Sequence, residues 1–151
     1  MIRLMTVKDI SAVVLLEEVI FGESLGHEMI EKEITLHEFA HYYVYEIENK
    51  IIGYIGLWIN DDIGQVVNFL IKKDYQRQGY GKRLMTHAMN VFKSHDVTVI
   101  SLEVRETNQG AILFYEGFGF EISYKRKQYY GPVDALVLIW RNRNDHFSSR
   151  E

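Results

Sequence analysis

The apolar positions of the chain follow helical spacing in some segments and strand-like patterns in others. After Asp9, residues three or four apart are mostly apolar for about three turns, with Glu17 among them. Thr6 followed by Asp9 resembles a capping box at the start of this helix. Ser24 is predicted to cap a second helix. These signals place two helices directly after a short opening strand.

The next part of the chain is rich in β-branched and aromatic residues, which predicts a meander of three strands ending at residues 65–72. An amphipathic helix follows and runs to about His95. Residues 97–104, "VTVISLEV", form a near-continuous apolar run, which is typical of a strand buried on both faces. A strand, a helix and a strand in this order predict a right-handed parallel crossover.

A helix near residues 108–116 and two further strands complete the predicted order β-α-α-β-β-β-α-β-α-β-β. This order predicts the α+β class, with a mixed, mostly antiparallel sheet of about seven strands and four helices. The chain has 151 residues, one proline and no internal repeat. We therefore expect a single domain over residues 1–141 and a polar tail over residues 142–151.

Composition narrows the classes of function. The absence of cysteine excludes disulfides, a thiolate nucleophile and thiolate metal ligands. No apolar stretch reaches the length of a membrane span, and the first residues lack the apolar run of a signal peptide, so we expect a cytoplasmic protein without a membrane partner. The net charge of −4 argues against broad nucleic-acid binding and is compatible with a cationic substrate.

The stretch "HEFAH" at residues 37–41 fits the H-E-x-x-H pattern of zinc metalloproteases. In that pattern two histidines on one helical face bind zinc, and the glutamate, here Glu38, activates water. The predicted elements weaken this interpretation because the motif falls at the end of the second helix, and His41 already opens a strand. No other histidine or carboxylate has the spacing of a third ligand. We interpret the motif as a surface helix end with two solvated histidines and expect no metal site.

A stronger signal is the stretch "YQRQGYGKR", which follows a strand and opens a helix. Gly79 and Gly81 remove side chains where the backbone can approach a partner, and the first N–H groups of a helix lack internal acceptors. Arg77, Lys82 and Arg83 add positive charge, so the segment suits a pyrophosphate. Neither the Walker A motif nor the Rossmann motif fits these residues. The alternative is a glycine-rich helix start with solvated basic side chains.

Gln76, Gly79 and Gly81 have the spacing of the acetyl-CoA motif of the GNAT N-acetyltransferases, and the predicted element order resembles that family as well. The GNAT sheet splays apart between two central parallel strands, here residues 65–72 and 97–104, and the pantetheine arm enters the gap. The resemblance implies acetyl-CoA as cosubstrate, bound by backbone groups of two segments. The first segment, expected to bind the pantetheine, consists of Phe69, Leu70 and Ile71. The second, expected to bind the pyrophosphate, consists of Arg77, Gln78, Gly79, Tyr80, Gly81 and Lys82.

The stretch "LEVRETNQGAILFYEGFGF", together with "DYQRQGYG" and "RKQYY", resembles the ribosomal-protein-alanine N-acetyltransferases over about residues 68–138. This resemblance implies that the acceptor is the α-amine of a protein N-terminus, in that subfamily a small-subunit ribosomal protein, and that the enzyme is a monomer or weak dimer. Glu103 resembles the general base and Tyr115 the general acid that protonates the CoA thiolate. Asn108 would cap a helix and contact the cofactor.

Each of these residues also has a structural interpretation. Glu103 lies in a strand and could pair with Arg105 or a lysine, and Tyr115 could be a core tyrosine. Acetyl transfer needs a neutral amine and a proton for the departing thiolate, which fits a carboxylate and a tyrosine at these positions. Without cysteine, a thioester on the enzyme is excluded, so direct attack in a ternary complex is the expected mechanism.

Departures from the subfamily affect the acceptor more than the chemistry. Typical members carry Pro-Trp-Ser or Pro-Trp-Thr between the first two helices, where this chain has "FGESLG", and they have a longer loop after the paired tyrosines. Both regions border the acceptor site in the family. These departures leave open a GNAT enzyme for a small-molecule amine or lysine. Two further alternatives are a GNAT-fold module that binds acyl-CoA without turnover and a zinc hydrolase acting through "HEFAH". The presence of Glu103 and Tyr115 argues against the module without turnover.

Overall fold

The computed structural model describes residues 1–143 and confirms the predicted order of elements. The strands and helices have the following bounds: β1 Ile2–Leu4, α1 Ile10–Phe21, α2 His27–Thr35, β2 Ala40–Ile47, β3 Lys50–Asn60, β4 Ile63–Ile71, α3 Tyr80–Ser94, β5 Val99–Arg105, α4 Gln109–Glu116, β6 Glu121–Tyr130 and β7 Val133–Arg141. The predicted tail begins at Asn142, whose backbone N–H donates to the Thr98 carbonyl (2.9 Å). The rest of that tail, residues 144–151, lies outside the described residues.

The sheet contains seven strands in the order β1-β2-β3-β4-β5-β7-β6. Only β4 and β5 pair in parallel among these strands, and the other neighbours are antiparallel. The α+β class and the mixed, mostly antiparallel sheet are thus confirmed. Within residues 1–143, no helix is long and apolar enough to cross a bilayer.

Two apolar cores lie on opposite faces of the sheet. On one face, α3 and α4 pack against the sheet, and the helical spacing of α3 buries Leu84, Met85, Ala88, Met89 and Phe92 as predicted. On the other face, α1 and α2 pack against β2, β3 and β4. Residues of β5, β6 and β7 take no part in this second core within the described chain. The layer formed by α1 and α2 therefore ends at β4.

The prediction that β5 is buried on both faces is wrong, because within residues 1–143 helices cover only one of its faces. Its buried residues alternate, with Leu102 (2% exposed) and Val104 (7%) in the core under α3 and α4. Ser101 and Glu103 point to the opposite face, where the layer of α1 and α2 does not reach. The sequence pattern missed this because Val99 and Ile100 make the run look continuously apolar.

The start of α1 is fixed by a partly buried ion pair. Arg3 donates to both carboxylate oxygens of Asp9 (2.8 and 2.9 Å) and also to Glu46 (2.8 Å). The Asp9 carboxylate accepts the Thr6 backbone N–H at 2.8 Å, as the predicted capping box requires. Hydrogen bonding from Arg3 is the main cause that lowers the pKa of Asp9. The Asp9 carboxylate at the N-terminus of α1 is therefore charged, and both of its oxygens accept hydrogen bonds.

The predicted cap of α2 is wrong. This helix begins at His27 with Gly26 at the capping position, and Gly26 has a φ of 92°. Ser24 is instead directed toward α1, where its hydroxyl donates to Glu17 at 2.6 Å. A glycine suits the left-handed backbone at this corner better than a serine would. Ser24 is thereby left to make a tertiary contact.

Candidate active site

The central strands β4 and β5 pair over three residues and then separate. The last parallel pair joins Gln65 to Ser101, although β4 continues to Ile71 and β5 to Arg105. A β-bulge at Val67 lies directly beyond this pair, because Val66 and Asn68 face consecutive residues of β3. A bulge increases the local twist of a strand and can end its pairing. The sheet therefore opens between β4 and β5 at the place that the resemblance implies.

The edge of β4 that faces the opening carries backbone groups of alternate residues. The Lys72 N–H donates to the Ile52 carbonyl of β3 at 2.6 Å. Since successive residues of a strand direct their N–H and C=O groups to opposite sides, the groups of Leu70 face β3 and those of Phe69 and Ile71 face the opening. Two of the three expected backbone partners therefore line the gap, and Leu70 lies between them.

The loop after β4 leads directly into the start of α3. Arg77 and Gly79 both adopt left-handed backbone conformations, with φ values of 62° and 90°. Gly79 is the N-terminal cap and has no side chain, so no side-chain oxygen accepts the first N–H groups of α3. The first turn has no acidic residue, and Lys82 adds positive charge. Exposed N–H groups at a helix N-terminus are a ready site for a phosphate group.

Gln76, the first residue of the glycine motif, has a role that the sequence did not reveal. Its side-chain amide donates to the Ile71 carbonyl at 2.9 Å. This bond ties the loop to the last residue of β4. The edge of β4 and the N-terminus of α3 are thereby held in a fixed relation, as a ligand spanning both would require.

Glu103 is not an isolated carboxylate. Arg126 of β6 donates to it, and the Glu103 side chain is 21% exposed. The expected structural partners were Arg105 or a lysine, so the partner is a different residue from the one predicted. Glu103 faces Val137 across β5 and β7, and Arg126 reaches it from the next strand outward. Glu103 thus lies on the face of the sheet that α1 and α2 do not cover, in an ion pair with Arg126.

Tyr115 lies in α4 and is 8% exposed, within the core on the other face of the sheet. Its ring centroid lies 5.4 Å from that of Phe114, 5.9 Å from Phe120 and 6.3 Å from Phe69. The Phe69 contact joins α4 to the edge of β4. Glu103 of β5 and Tyr115, which contacts Phe69 of β4, therefore lie beside the opening on opposite faces of the sheet.

Asn108 caps α4, as predicted. Its side-chain oxygen accepts the Ala111 N–H at 3.1 Å. The cap fixes the start of α4 shortly after the end of β5. Tyr115 lies in the last turn of this helix, at the end opposite to Asn108. A contact of Asn108 with a cofactor stays a prediction.

The "HEFAH" segment is not helical, because α2 ends at Thr35. His37 stacks on Trp58 with ring centroids 4.9 Å apart, and His41 lies in β2 with its ring 5.0 Å from that of His95. Both motif histidines are half-buried, so the expected solvated side chains are not found. Within residues 1–143, no three histidine or carboxylate side chains come together in a group that could hold a metal ion.

The half-buried histidines give a prediction for stability. Burial, and next the neighbouring His95, lower the pKa of His41, and burial lowers that of His87. A histidine whose folded pKa lies below the unfolded value of about 6.5 favours folding in its neutral form. This stabilisation is present above about pH 6.5 and is lost as the pH falls through the lowered pKa. We expect Tm to fall between pH 7.5 and pH 5.

Thermal unfolding of His41→Ala at both pH values checks this expectation, and Tm of the variant should fall less than that of the wild type. The same variant should keep its enzymatic rate, because His41 lies on β2, two strands away from the opening between β4 and β5. An equal fall in Tm would show that His41 does not titrate as described. A large loss of rate would mean that His41 belongs to the site.

Comparison with known proteins places these features in a family. Residues 11–120 match the model of the acetyltransferase (GNAT) family. A Bacillus subtilis (strain 168) protein, provisionally named as a ribosomal protein bS18-alanine N-acetyltransferase, is 34% identical over 146 residues, which span 95% of this chain and 96% of that protein. This similarity extends over essentially all of both chains.

Solved structures agree with the fold. The crystal structure of the ribosomal-protein-S18-alanine N-acetyltransferase from Escherichia coli is similar with a TM-score of 0.86 and 23% identity, covering 93% of this chain and 92% of that one. The PaiA N-acetyltransferase from Thermoplasma acidophilum in complex with coenzyme A gives a TM-score of 0.79 at 17% identity, covering 94% and 98%. At these identities the likeness concerns the fold.

Proposed function

The chain belongs to the GNAT family of acetyltransferases, and we propose that it uses acetyl-CoA to acetylate the N-terminal α-amine of a protein. The observation that carries this proposal is the opening between β4 and β5, which has a carboxylate on one face and a buried tyrosine on the other. Similarity to the Bacillus subtilis relative supports a ribosomal protein such as bS18 as the acceptor. Such an acceptor would place the enzyme in the cytoplasm, where we propose that it works as a monomer or weak dimer.

The residues around the opening fit coenzyme A. The first N–H groups of α3 lack side-chain acceptors. Arg77 and Gly79, directly before the helix, have left-handed backbone conformations, which are typical of loops whose N–H groups bind anions. The Phe69 backbone groups and the Ile71 N–H face the gap, where β5 does not pair with them, whereas the Ile71 carbonyl accepts the Gln76 amide. We assign the pyrophosphate to the loop and the pantetheine to the β4 edge. The proposed contacts are those of Phe69, Ile71, Arg77, Gln78, Gly79, Tyr80, Gly81, Lys82 and Asn108; Leu70, whose backbone groups face β3, is not among them.

Two residues would carry the proton transfers. Acetyl-CoA supplies the acetyl group as an activated thioester. Glu103 on the uncovered face would take a proton from the acceptor ammonium, directly or through water, because only a neutral amine is nucleophilic. The ammonium and Arg126 would compete for the same carboxylate, since both are cations. Tyr115, on the opposite face, would donate a proton to the departing sulfur. The chain has no cysteine, so we propose direct attack in a ternary complex.

Gly79 provides a prediction for the cofactor site. A residue with a side chain at a φ of 90° is strained, by about 1–2 kcal/mol in the left-handed region. We expect Gly79→Ala to raise KM for acetyl-CoA by about tenfold, because this strain would move the N–H groups of the loop, and 1.4 kcal/mol is a factor of ten. Steady-state kinetics with acetyl-CoA as the varied substrate measures the change.

The matched control is Gly22→Ala. Gly22 ends α1 with a φ of 81°, and no atom lies within 4 Å of an added Cβ. The control should lower Tm to a similar extent but leave KM for acetyl-CoA unchanged. Equal KM values for Gly79→Ala and the wild type would remove the loop from the cofactor site.

The acceptor itself can be tested with peptides. Purified protein is incubated with acetyl-CoA and three amines: a peptide with the N-terminal sequence of bS18, the same peptide with its α-amine blocked, and a polyamine. We expect rapid acetylation of the free peptide alone, measured by mass spectrometry and by release of free thiol. Turnover of the blocked peptide at a lysine, or of the polyamine, would move the chain to the alternative class of GNAT enzymes.

That alternative has one specific observation in its favour. The turn between β6 and β7 consists of two residues, Gly131 and Pro132, and is shorter than the subfamily pattern. The paired tyrosines before it, residues 129 and 130, have side chains outside the described part of the structure. A shorter turn would leave more room for an acceptor of a different shape, so the peptide comparison is needed to decide.

A further inference from the structure

Glu17 is a charged residue in a fully buried position. It lies on the inner face of α1 and is 2% exposed. One carboxylate oxygen accepts the Tyr54 hydroxyl of β3 at 2.5 Å, and the other accepts the Ser24 hydroxyl at 2.6 Å. Burial, together with the hydrogen bond and charge of Glu17, raises the pKa of Tyr54, so the hydroxyl keeps its proton and remains a donor. Burying a carboxylate is costly unless its oxygens are satisfied, as they are here.

Ser24 connects this buried carboxylate to the segment between α1 and α2, residues 22–26, which we call the α1–α2 loop. The Ser24 oxygen also accepts the Gly26 N–H at 3.0 Å. Gly22 and Gly26, at the two ends of the loop, have φ values of 81° and 92°. Glycines at both ends give the loop many accessible conformations, and the hydrogen bond from Ser24 to Glu17 of α1, which also accepts the Tyr54 hydroxyl of the sheet, selects one of them. Ser24, Glu17 and Tyr54 together are called the Ser24 relay below.

The far end of α2 is anchored in a similar way. Glu33 accepts the Tyr42 hydroxyl at 3.1 Å and the Trp58 indole N–H at 2.9 Å. Each helix of this layer thus presents a carboxylate to aromatic donors of the sheet. Because α2 is held at its C-terminal half by Glu33, the α1–α2 loop is the part whose position depends on the Ser24 relay.

The layer of α1 and α2 borders the face on which an amine would reach Glu103. It covers β2, β3 and β4 and ends there, whereas Glu103 lies on the same face of β5. The face beyond the layer remains open, with Arg126 and Tyr124 of β6 exposed at 45% and 55%. A peptide lying over Glu103 would therefore meet the α1 and α2 layer as one of its walls.

We propose that the Ser24 relay is a positioning device that holds the α1–α2 loop as a wall of the acceptor site and so sets the affinity for the acceptor. The inference rests on the proposed function only in that it places the acceptor over Glu103. Ser24 acts through the loop and touches neither the acetyl group nor the reacting amine. Its loss should therefore affect acceptor binding and leave the chemical step unchanged.

The experiment compares Ser24→Ala with Ser24→Thr, which retains a hydroxyl. We expect Ser24→Ala to raise KM for the acceptor about fivefold to tenfold, which lies in the range for the loss of one ordinary hydrogen bond. The kcat value and KM for acetyl-CoA should stay within twofold of the wild type, and Ser24→Thr should restore most of the affinity. Tyr54→Phe, which removes the other donor to Glu17, should raise KM for the acceptor as well.

The control for general loss of stability is Asp9→Asn. Asp9 is also a buried, hydrogen-bonded carboxylate of the same helix, but it lies at the opposite end of α1. It should lower Tm without changing KM for the acceptor. The proposal is overturned if Ser24→Ala leaves KM for the acceptor within twofold, or if Asp9→Asn raises it equally. If the wild type prefers an amine other than a peptide α-amine, the proposed function fails, and the same variants tested with that amine still decide the role of the relay.

Discussion

The Glu103→Gln variant is expected to lose about 100- to 10,000-fold in kcat/KM for the acceptor near neutral pH, the range for removal of a general base. Glutamine is nearly isosteric with glutamate and can still contact Arg126, but it cannot accept a proton. The loss should shrink above about pH 8, since an α-amine with a pKa of about 7.7–8.0 then becomes neutral unaided. A profile of kcat/KM from pH 6 to pH 10 measures both effects.

Arg126→Met separates the chemistry of Glu103 from its ion pair. This variant removes the arginine partner but keeps the carboxylate, so it should cost much less activity than Glu103→Gln. A half-exposed ion pair contributes about 0–1 kcal/mol, which limits the effect on stability. If Glu103→Gln stays within threefold of the wild-type rate, or if Arg126→Met is equally damaging, Glu103 is a structural carboxylate rather than the base.

The second large effect is expected from Tyr115→Phe. The variant should reduce kcat by about 100-fold or more, because the departing sulfur would lose its proton donor. Phenylalanine keeps the ring and its contacts with Phe69, Phe114 and Phe120, so KM for acetyl-CoA should change little. Single-turnover kinetics at saturating substrates measures the chemical step directly.

Tyr45→Phe is the matched control for that variant. Tyr45 has the same exposure as Tyr115, 8%, and packs its ring at 5.3 Å from Tyr80, but it lies in β2. It should retain the wild-type kcat. A Tyr115→Phe enzyme with kcat within threefold of the wild type would return Tyr115 to the role of a core tyrosine.

Much of the fold could be predicted because local signals and long-range packing agree. The apolar spacing of α3 and the alternation along the strands place each element, and the element order matches the structure. The resemblance located the opening between β4 and β5, and the structure shows the bulge at Val67 that accompanies it. The bulge could not be predicted, because nothing in "QVVNFL" distinguishes an extra residue from a regular strand residue.

The contacts between distant side chains were the least predictable part of the site. The partner of Glu103 is 23 residues away in the chain and two strands away in the sheet, and its register depends on an irregularity between Ile122 and Tyr124. Sequence spacing carries no information about such a pair. The sequence also did not show that the helices of the described chain cover only one face of β5, because tertiary packing determines how far the layer of α1 and α2 extends over the sheet.

The Ser24 relay did leave a signal in the sequence. Glu17 falls on the apolar face of the first helix, and a charged residue at such a position is rarely buried without partners. That signal identifies the buried carboxylate but not its donors, because Ser24 follows a helix end and Tyr54 comes from β3. The capping preference of serine instead pointed to α2, where the left-handed backbone favours Gly26.

The central claim is that acetyl transfer occurs at an N-terminal α-amine. The most direct measurement uses one peptide that begins with a free alanine and contains one internal lysine, incubated with the enzyme and limiting acetyl-CoA. Tandem mass spectrometry then locates the acetyl group on one amine or the other within the same molecule. The account predicts acetylation at the alanine nitrogen, with loss of this product in Glu103→Gln. Acetylation at the lysine, with the α-amine left free, would contradict it.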